Sequence, residues 1–205
     1  MVFEQTTIIV RDGKKIVVKK FSDISSIKWL ISIPFRPFYP FALSATERLK
    51  REYTFFQYEH SYILTPKVYK VDWKNKVLER EFIDGDSLAE FEVEESSKIL
   101  AKVLATLHRE GWCLGDTKLT NIIATNGKVY VIDGEQAIKS SNELYIIWDI
   151  ASSLILLGIY NPKEAMVVSS ELLHKFYKEY NNNGGSVKMI DRSLKFLRRL
   201  IGVER

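Results

Sequence analysis

The sequence predicts an α+β protein in two parts, the first rich in strands and the second rich in helices. Three observations carry that prediction. β-Branched runs broken by turn residues dominate before residue 84, and helical apolar periods dominate after it. The chain, 205 residues and 46% hydrophobic, is long enough to bury one sizeable core or two small ones. The character changes at "IDGDSLAEF", so the expected division is 1–83 and 84–205.

The first pattern is "TTIIVRDGKKIVVKKF", two β-branched runs around Arg11-Asp12-Gly13, which predicts a hairpin. "KWLISIPFRPFYPFAL" follows with Pro34, Pro37 and Pro40, three of the five prolines. Prolines so spaced exclude a continuous helix or a central strand, so an extended, aromatic-rich insertion is expected. Its Trp29, Phe35 and Phe38 suit packing against the first part, and an amphiphilic molecule could also meet them. A helix starts in "SATERLKREYTFFQYEH", where Ser44 can cap and Glu47 stands three residues on, as in a capping box. "PKVYKVDWKNKVLEREFI" reads as a second hairpin turning at Lys74-Asn75-Lys76.

In the second part "EESSKILAKVLATLHREG" has a helical period closed by Gly111. "IIATNGKVYVI" is a tight hairpin at Asn126-Gly127. Helices are expected near 143–158, 162–181 and 187–201, with "NNNGG" at 181–185 as a flexible separator. In the last helix Ile190, Leu194, Leu197 and Ile201 form an apolar stripe, and Lys188, Arg192, Lys195, Arg199 and Arg205 supply basic groups off it.

Composition narrows the chemistry. A formal charge of +4 and a pI near 9.0 suit an anionic ligand without demanding nucleic acid. Cys113 is the only cysteine, so an intrachain disulfide is excluded and a reducing cytoplasm is the expected setting. Its apolar neighbours predict a buried structural thiol. His60, His108 and His174 lack ligand spacing, which argues against a histidine metal site. The N-terminal residues lack a basic-then-apolar signal pattern. The run "LYIIWDIASSLILLGIY" contains Asp149 and falls short of the roughly 20 apolar residues of a spanning helix, so no transmembrane segment is expected.

The chemistry concentrates in "GDTKLTNIIATNGKVYVIDGEQA". Phosphoryl transfer needs phosphates held by cations, a metal bridging their oxygens and a carboxylate orienting the acceptor hydroxyl. Asp116 suits the last role. Asn121 and Asp133 offer the hard oxygens that Mg²⁺ or Mn²⁺ takes, and the hairpin between them would return Asp133 beside Asn121.

"LGDTKLTN" resembles the catalytic loop of the protein-kinase superfamily, His-Arg-Asp with an asparagine five residues on. "VYVIDGE" resembles the strand that ends there in the metal-binding Asp-Phe-Gly. The resemblance implies a kinase-like fold with a reduced strand-rich N-lobe and a small helical C-lobe, the two making one domain that binds ATP. It implies Lys118 near the transferred phosphate. It implies Lys19, in "IVVKKF", as the phosphate lysine, with Val17 beside adenine. Glu52 becomes the helix partner of Lys19, with Glu47 second, and the backbone at Glu81 and Ile83 reads adenine. Asp149 supports the catalytic loop from the next helix. Among subfamilies the chain most resembles the RIO kinases and the kinase subunit of the KEOPS tRNA-modification complex, and lipopolysaccharide-core kinases have similar motifs.

Four features depart from the family. Leu114 replaces the histidine, Gly134-Glu135 replaces Phe-Gly, and no Gly-x-Gly-x-x-Gly appears near "TTIIV". Only "GEQAIKSSNELYIIW" lies between Asp133 and Asp149, too short for the segment on which protein kinases lay a peptide. Three functions compete: an atypical Ser/Thr kinase or ATPase of the RIO or KEOPS type, a small-molecule or glycolipid kinase, and a nucleotide-binding adaptor without turnover. The basic final helix adds the expectation of an acidic protein or RNA partner.

Overall fold

The computed structural model describes residues 6–23, 32–59, 62–160 and 170–200. Trp29, His60, Ile201, Arg205 and the first residues of the helix expected over 162–181 lie outside these. In chain order the elements are β1 (Thr6–Arg11), β2 (Lys14–Lys20), α1 (Ala45–Phe55), β3 (Ile63–Leu64), β4 (Val68–Asp72), β5 (Val77–Glu81) and β6 (Asp86–Ser87). Then come α2 (Val93–Arg109), β7 (Trp112–Cys113), β8 (Ile122–Thr125), β9 (Lys128–Val131), β10 (Ile138–Lys139), α3 (Glu143–Tyr160), α4 (Ser170–Asn182) and α5 (Val187–Leu200). Packing divides the chain into two units, Met1–Asp86 with Ile122–Ala137 and Ser87–Asn121 with Ile138–Arg205. The β8–β9 hairpin thus belongs with the strand-rich unit, although helical segments flank it in sequence.

In the first unit a sheet runs β1-β2-β5-β4, antiparallel throughout. Asp12 and Gly13 turn β1 into β2 with φ of 52° and 73°, the left-handed pair a two-residue hairpin needs. Asn126 and Gly127 do the same between β8 and β9, at 51° and 70°. β3 lies parallel on β9. Ser44 caps α1 by accepting from Glu47 N at 3.2 Å. The expected reciprocal half is not made by Glu47, whose carboxylate takes Arg51 Nε at 3.0 Å instead. Asp23 serves another orphan donor, accepting from Ala45 N at 2.9 Å.

The proline-rich segment is more compact than an extended insertion. Residues 32–35 form a 3-10 turn, followed by Phe38 N and Tyr39 N donating to the carbonyl of Phe35. Pro34 sits in the first turn, where no N–H is required of it. Tyr39 and Phe41 are buried, and Phe35 and Phe38 are half-buried.

In the second unit α2 packs on α4, and α3 packs on α5 and α2. Gly111, with φ 78°, closes α2. The "NNNGG" segment is no loose separator: α4 runs through Asn182 and ends in a Schellman motif. Gly185 N donates to Tyr180 O at 2.9 Å and Gly184 N to Asn181 O at 3.0 Å. Any β-carbon at Gly185 would stand 2.2 Å from the Tyr180 ring.

Among the described residues α3 alone is long and apolar enough to cross a membrane by length and composition. It is nevertheless built as a core helix, with Ile147, Asp149, Ile150, Leu154 and Leu157 buried in the unit. On α5 the buried residues are Met189, Ile190 and Ser193, while Leu194 and Leu197 are half-buried. Lys188 and Arg192 there are committed to Glu143 of α3.

Candidate active site

In the first unit β2 alternates, so Val17 and Lys19 are buried on one face and Lys20 is exposed on the other. Lys19 Nζ donates to Glu52 Oε2 of α1 at 2.5 Å, and it stands 3.1 Å from Asp133 Oδ1 and 3.6 Å from Glu135 Oε2. Burial alone would lower the Lys19 pKa, but Asp133, Glu52 and Glu135 outweigh it and hold the ammonium charged. For Glu52 burial is the largest influence. With repulsion from Asp133 and Glu135 it overcomes Lys19 and Arg80 and pushes the pKa up to about 8.

Asp133 follows β9, and among the described residues its ion pair with Lys19 and its hydrogen bond from the N–H of Glu135, each at 3.1 Å, fall on Oδ1. At the end of β5 the Glu81 N–H is spent on Lys67 O at 2.9 Å, and its carbonyl accepts Arg80 Nη1 at 3.1 Å. Ile83 lies just past that strand.

The second unit carries Asp116, Lys118, Asn121 and Asp149. Asp149, fully buried on α3, accepts from Leu114 N at 2.6 Å and Gly115 N at 2.7 Å. Trp148 Nε1 donates to Gly115 O at 3.0 Å, so α3 holds both the N–H and the carbonyl of Gly115. Lys118 Nζ stands 2.7 Å from Asp116 Oδ2. Asn121 ends a 3-10 turn over Leu119–Asn121, and its Nδ2 is buried without a hydrogen-bond partner among the described residues.

Several residues of these networks escaped the sequence reading. Arg48 and Glu135 are both buried and pair at 3.0 Å, and Arg80 is buried near Glu52 and Asp133. The available signal was the i, i+4 spacing that puts Arg48 and Glu52 on one face of α1. His108 has two partners: Nε2 lies 3.2 Å from Asp149 Oδ2 and Nδ1 2.8 Å from the Tyr180 hydroxyl. We assign the hydrogen to Nε2, since a carboxylate can only accept, and Nδ1 then accepts from Tyr180. Burial and Asp149 push the Tyr180 phenol up, which keeps that donor protonated. Forty-one positions separate His108 from Asp149, so no local spacing could announce the pair. Cys113 is buried, and burial followed by Asp149 raises its thiol, in keeping with a structural role.

No protein-family model matches the chain. The Plasmodium vivax ethanolamine kinase structure is similar over 95% of this chain and 72% of that one, with a TM-score of 0.52 and 12% identity. A 75-residue stretch is 37% identical to the KEOPS complex subunit Bud32 of Pyrococcus abyssi, over 33% of this chain. The chain matches about a third of that protein's length, 34%. The fold is kinase-like, α+β with a strand-rich first part.

Proposed function

We propose that the chain is an ATP-dependent phosphotransferase, an atypical Ser/Thr kinase or ATPase of the RIO or KEOPS-kinase type. The observation that carries this reading is the buried Lys19–Glu52 pair with Asp133 3.1 Å from the same ammonium. A lysine so placed is a fixed cation for phosphate oxygens, beside the carboxylate a bridging metal requires.

Asp133 and Asn121, each taken by itself, have the donor chemistry that Mg²⁺ or Mn²⁺ takes. Among the described residues Oδ2 of Asp133 has no hydrogen-bond or ion-pair partner, and the Asn121 Nδ2, buried and unpaired among them, becomes a carbonyl oxygen when the amide is turned over. By the motif resemblance Asp133 and Asn121 would be the residues that hold the metal, which when bound neutralises charge on the phosphate oxygens. The chain's own groups do the rest. Lys19 holds phosphate, Glu52 fixes Lys19, and Val17 packs beside adenine while Glu81 and Ile83 read its edge through the backbone. Asp116 accepts the hydrogen bond of the acceptor hydroxyl and takes its proton, and Lys118 steadies the moving phosphoryl group. Asp149 keeps that loop in place.

The kinship with Bud32, a complex subunit by name, favours a protein partner, for which the basic face of α5 is the candidate surface. Turnover of ATP labelled at the γ-phosphate, with Mg²⁺ or Mn²⁺, tests the reading. Label on protein or released as free phosphate supports it. Label on a lipid or sugar selects the small-molecule alternative, and nucleotide binding without turnover selects the adaptor.

A further inference from the structure

Three consecutive residues after Asp133 each hold α1 or the segment that leads into it. Gly134 lies so close to α1 that an added β-carbon would stand 2.7 Å from Cδ1 of Phe55. Glu135, 1% exposed, accepts from Arg48 Nη1 at 3.0 Å while its own N–H donates to Asp133 Oδ1 at 3.1 Å. Gln136, also 1% exposed, imitates a strand: its Oε1 accepts from Ala42 N at 2.8 Å and its Nε2 donates to Ala42 O at 3.1 Å. Tyr39 Oη adds a bond to Gln136 O at 2.7 Å. Arg48 is fully buried, its Nη2 donates to Ser22 O at 2.7 Å, and it lies one helical turn before Glu52 on the same face.

We propose that Gly134-Glu135-Gln136 is a clasp that fixes α1 where Glu52 holds Lys19, with Glu135 and Arg48 as its positioning pair. This rests on the phosphotransferase reading of Lys19 and Asp133 and adds how their geometry is maintained. A steric contact, an ion pair and a two-point amide bond act on three successive residues, so α1 cannot rotate about one of them without straining the others. The clasp ties Glu52 and Asp133 to the same short stretch of backbone. The site is thereby assembled before any ligand arrives, with no partner or modification needed to move α1 into place.

The test uses the full chain without nucleotide and Glu135→Gln, which keeps the shape and removes the charge. Amide hydrogen exchange over residues 45–55 should rise about tenfold or more, while α2 stays as protected as before. Unchanged α1 exchange in folded Glu135→Gln overturns the clasp. Should that variant fail to fold, Arg48→Met with Glu135→Met replaces the buried pair by apolar volume, which proteins commonly tolerate, and the same exchange criterion applies. A second arm measures Mg²⁺-dependent affinity for a non-hydrolysable ATP analogue. Glu135→Gln and Glu52→Gln should each weaken it, and the double variant no more than the worse single, because both act through α1. Fully additive losses contradict that route. Absence of nucleotide binding in the unaltered chain would remove the phosphotransferase reading and leave the exchange result to decide the clasp alone.

Discussion

In the first unit three cations, Lys19, Arg48 and Arg80, act on three carboxylates, Glu52, Asp133 and Glu135. In the second a single carboxylate, Asp149, holds the loop through two backbone N–H groups and His108. The first arrangement depends on charge balance, since each member is costly to bury alone. The second depends on satisfying donors that the backbone cannot withdraw. Substitutions should therefore fail differently in the two places: by uncompensated charge in one and by orphaned amides in the other.

The largest effect is expected at Asp149. Asp149→Ala leaves two buried N–H groups without acceptors, at roughly 1–3 kcal/mol each, so about 2–6 kcal/mol of stability should be lost. Urea denaturation measures it; a loss below about 1 kcal/mol would show that the loop finds other acceptors.

Lys19→Met comes next. It removes the ammonium that Glu52, Asp133 and Glu135 share, and breaking a buried charge network from one side costs about 3–5 kcal/mol. The same denaturation series checks it, and a neutral outcome would mean that Arg80 already balances Glu52.

The sequence made some of this legible and hid the rest for a physical reason. Turn chemistry is local, so Asp12-Gly13 and Asn126-Gly127 announced two hairpins. The strand alternation of Val17, Lys19 and Lys20 was readable because period two needs only neighbours. Asp149 as a support came from a resemblance in motif order. The partners of these groups were hidden because they are set by tertiary packing: Arg48 meets Glu135 across 87 positions and Ala42 meets Gln136 across 94. The prolines at 34, 37 and 40 ruled out a long helix but could not distinguish an extended segment from the short 3-10 turn that formed.

The charge-balanced unit should also show a pH signature. Unfolded Glu52 gives up its proton near 4.5, whereas in the folded chain it keeps it up to about 8. The folded state binds the extra proton between those values, so stability falls as pH rises through that window. Glu52→Gln cannot titrate and should flatten that slope in a series of denaturation midpoints against pH. An unchanged slope would place the titrating group elsewhere.

The smallest effect sharpens the register. Lys20 is exposed beside buried Lys19, so Lys20→Ala should leave stability within about 0.5 kcal/mol and nucleotide affinity unchanged. Loss of affinity at Lys20 equal to that at Lys19 would shift the phosphate contact by one residue.

Titration calorimetry with a non-hydrolysable ATP analogue, with and without Mg²⁺, tests the central claim most directly. The unaltered chain and Asp116→Asn should bind in a metal-dependent manner, because Asp116 addresses the acceptor and not the nucleotide. Asp133→Ala should lose the metal dependence. Metal-independent binding by the unaltered chain, or Asp133→Ala binding as well as it does, would contradict the account.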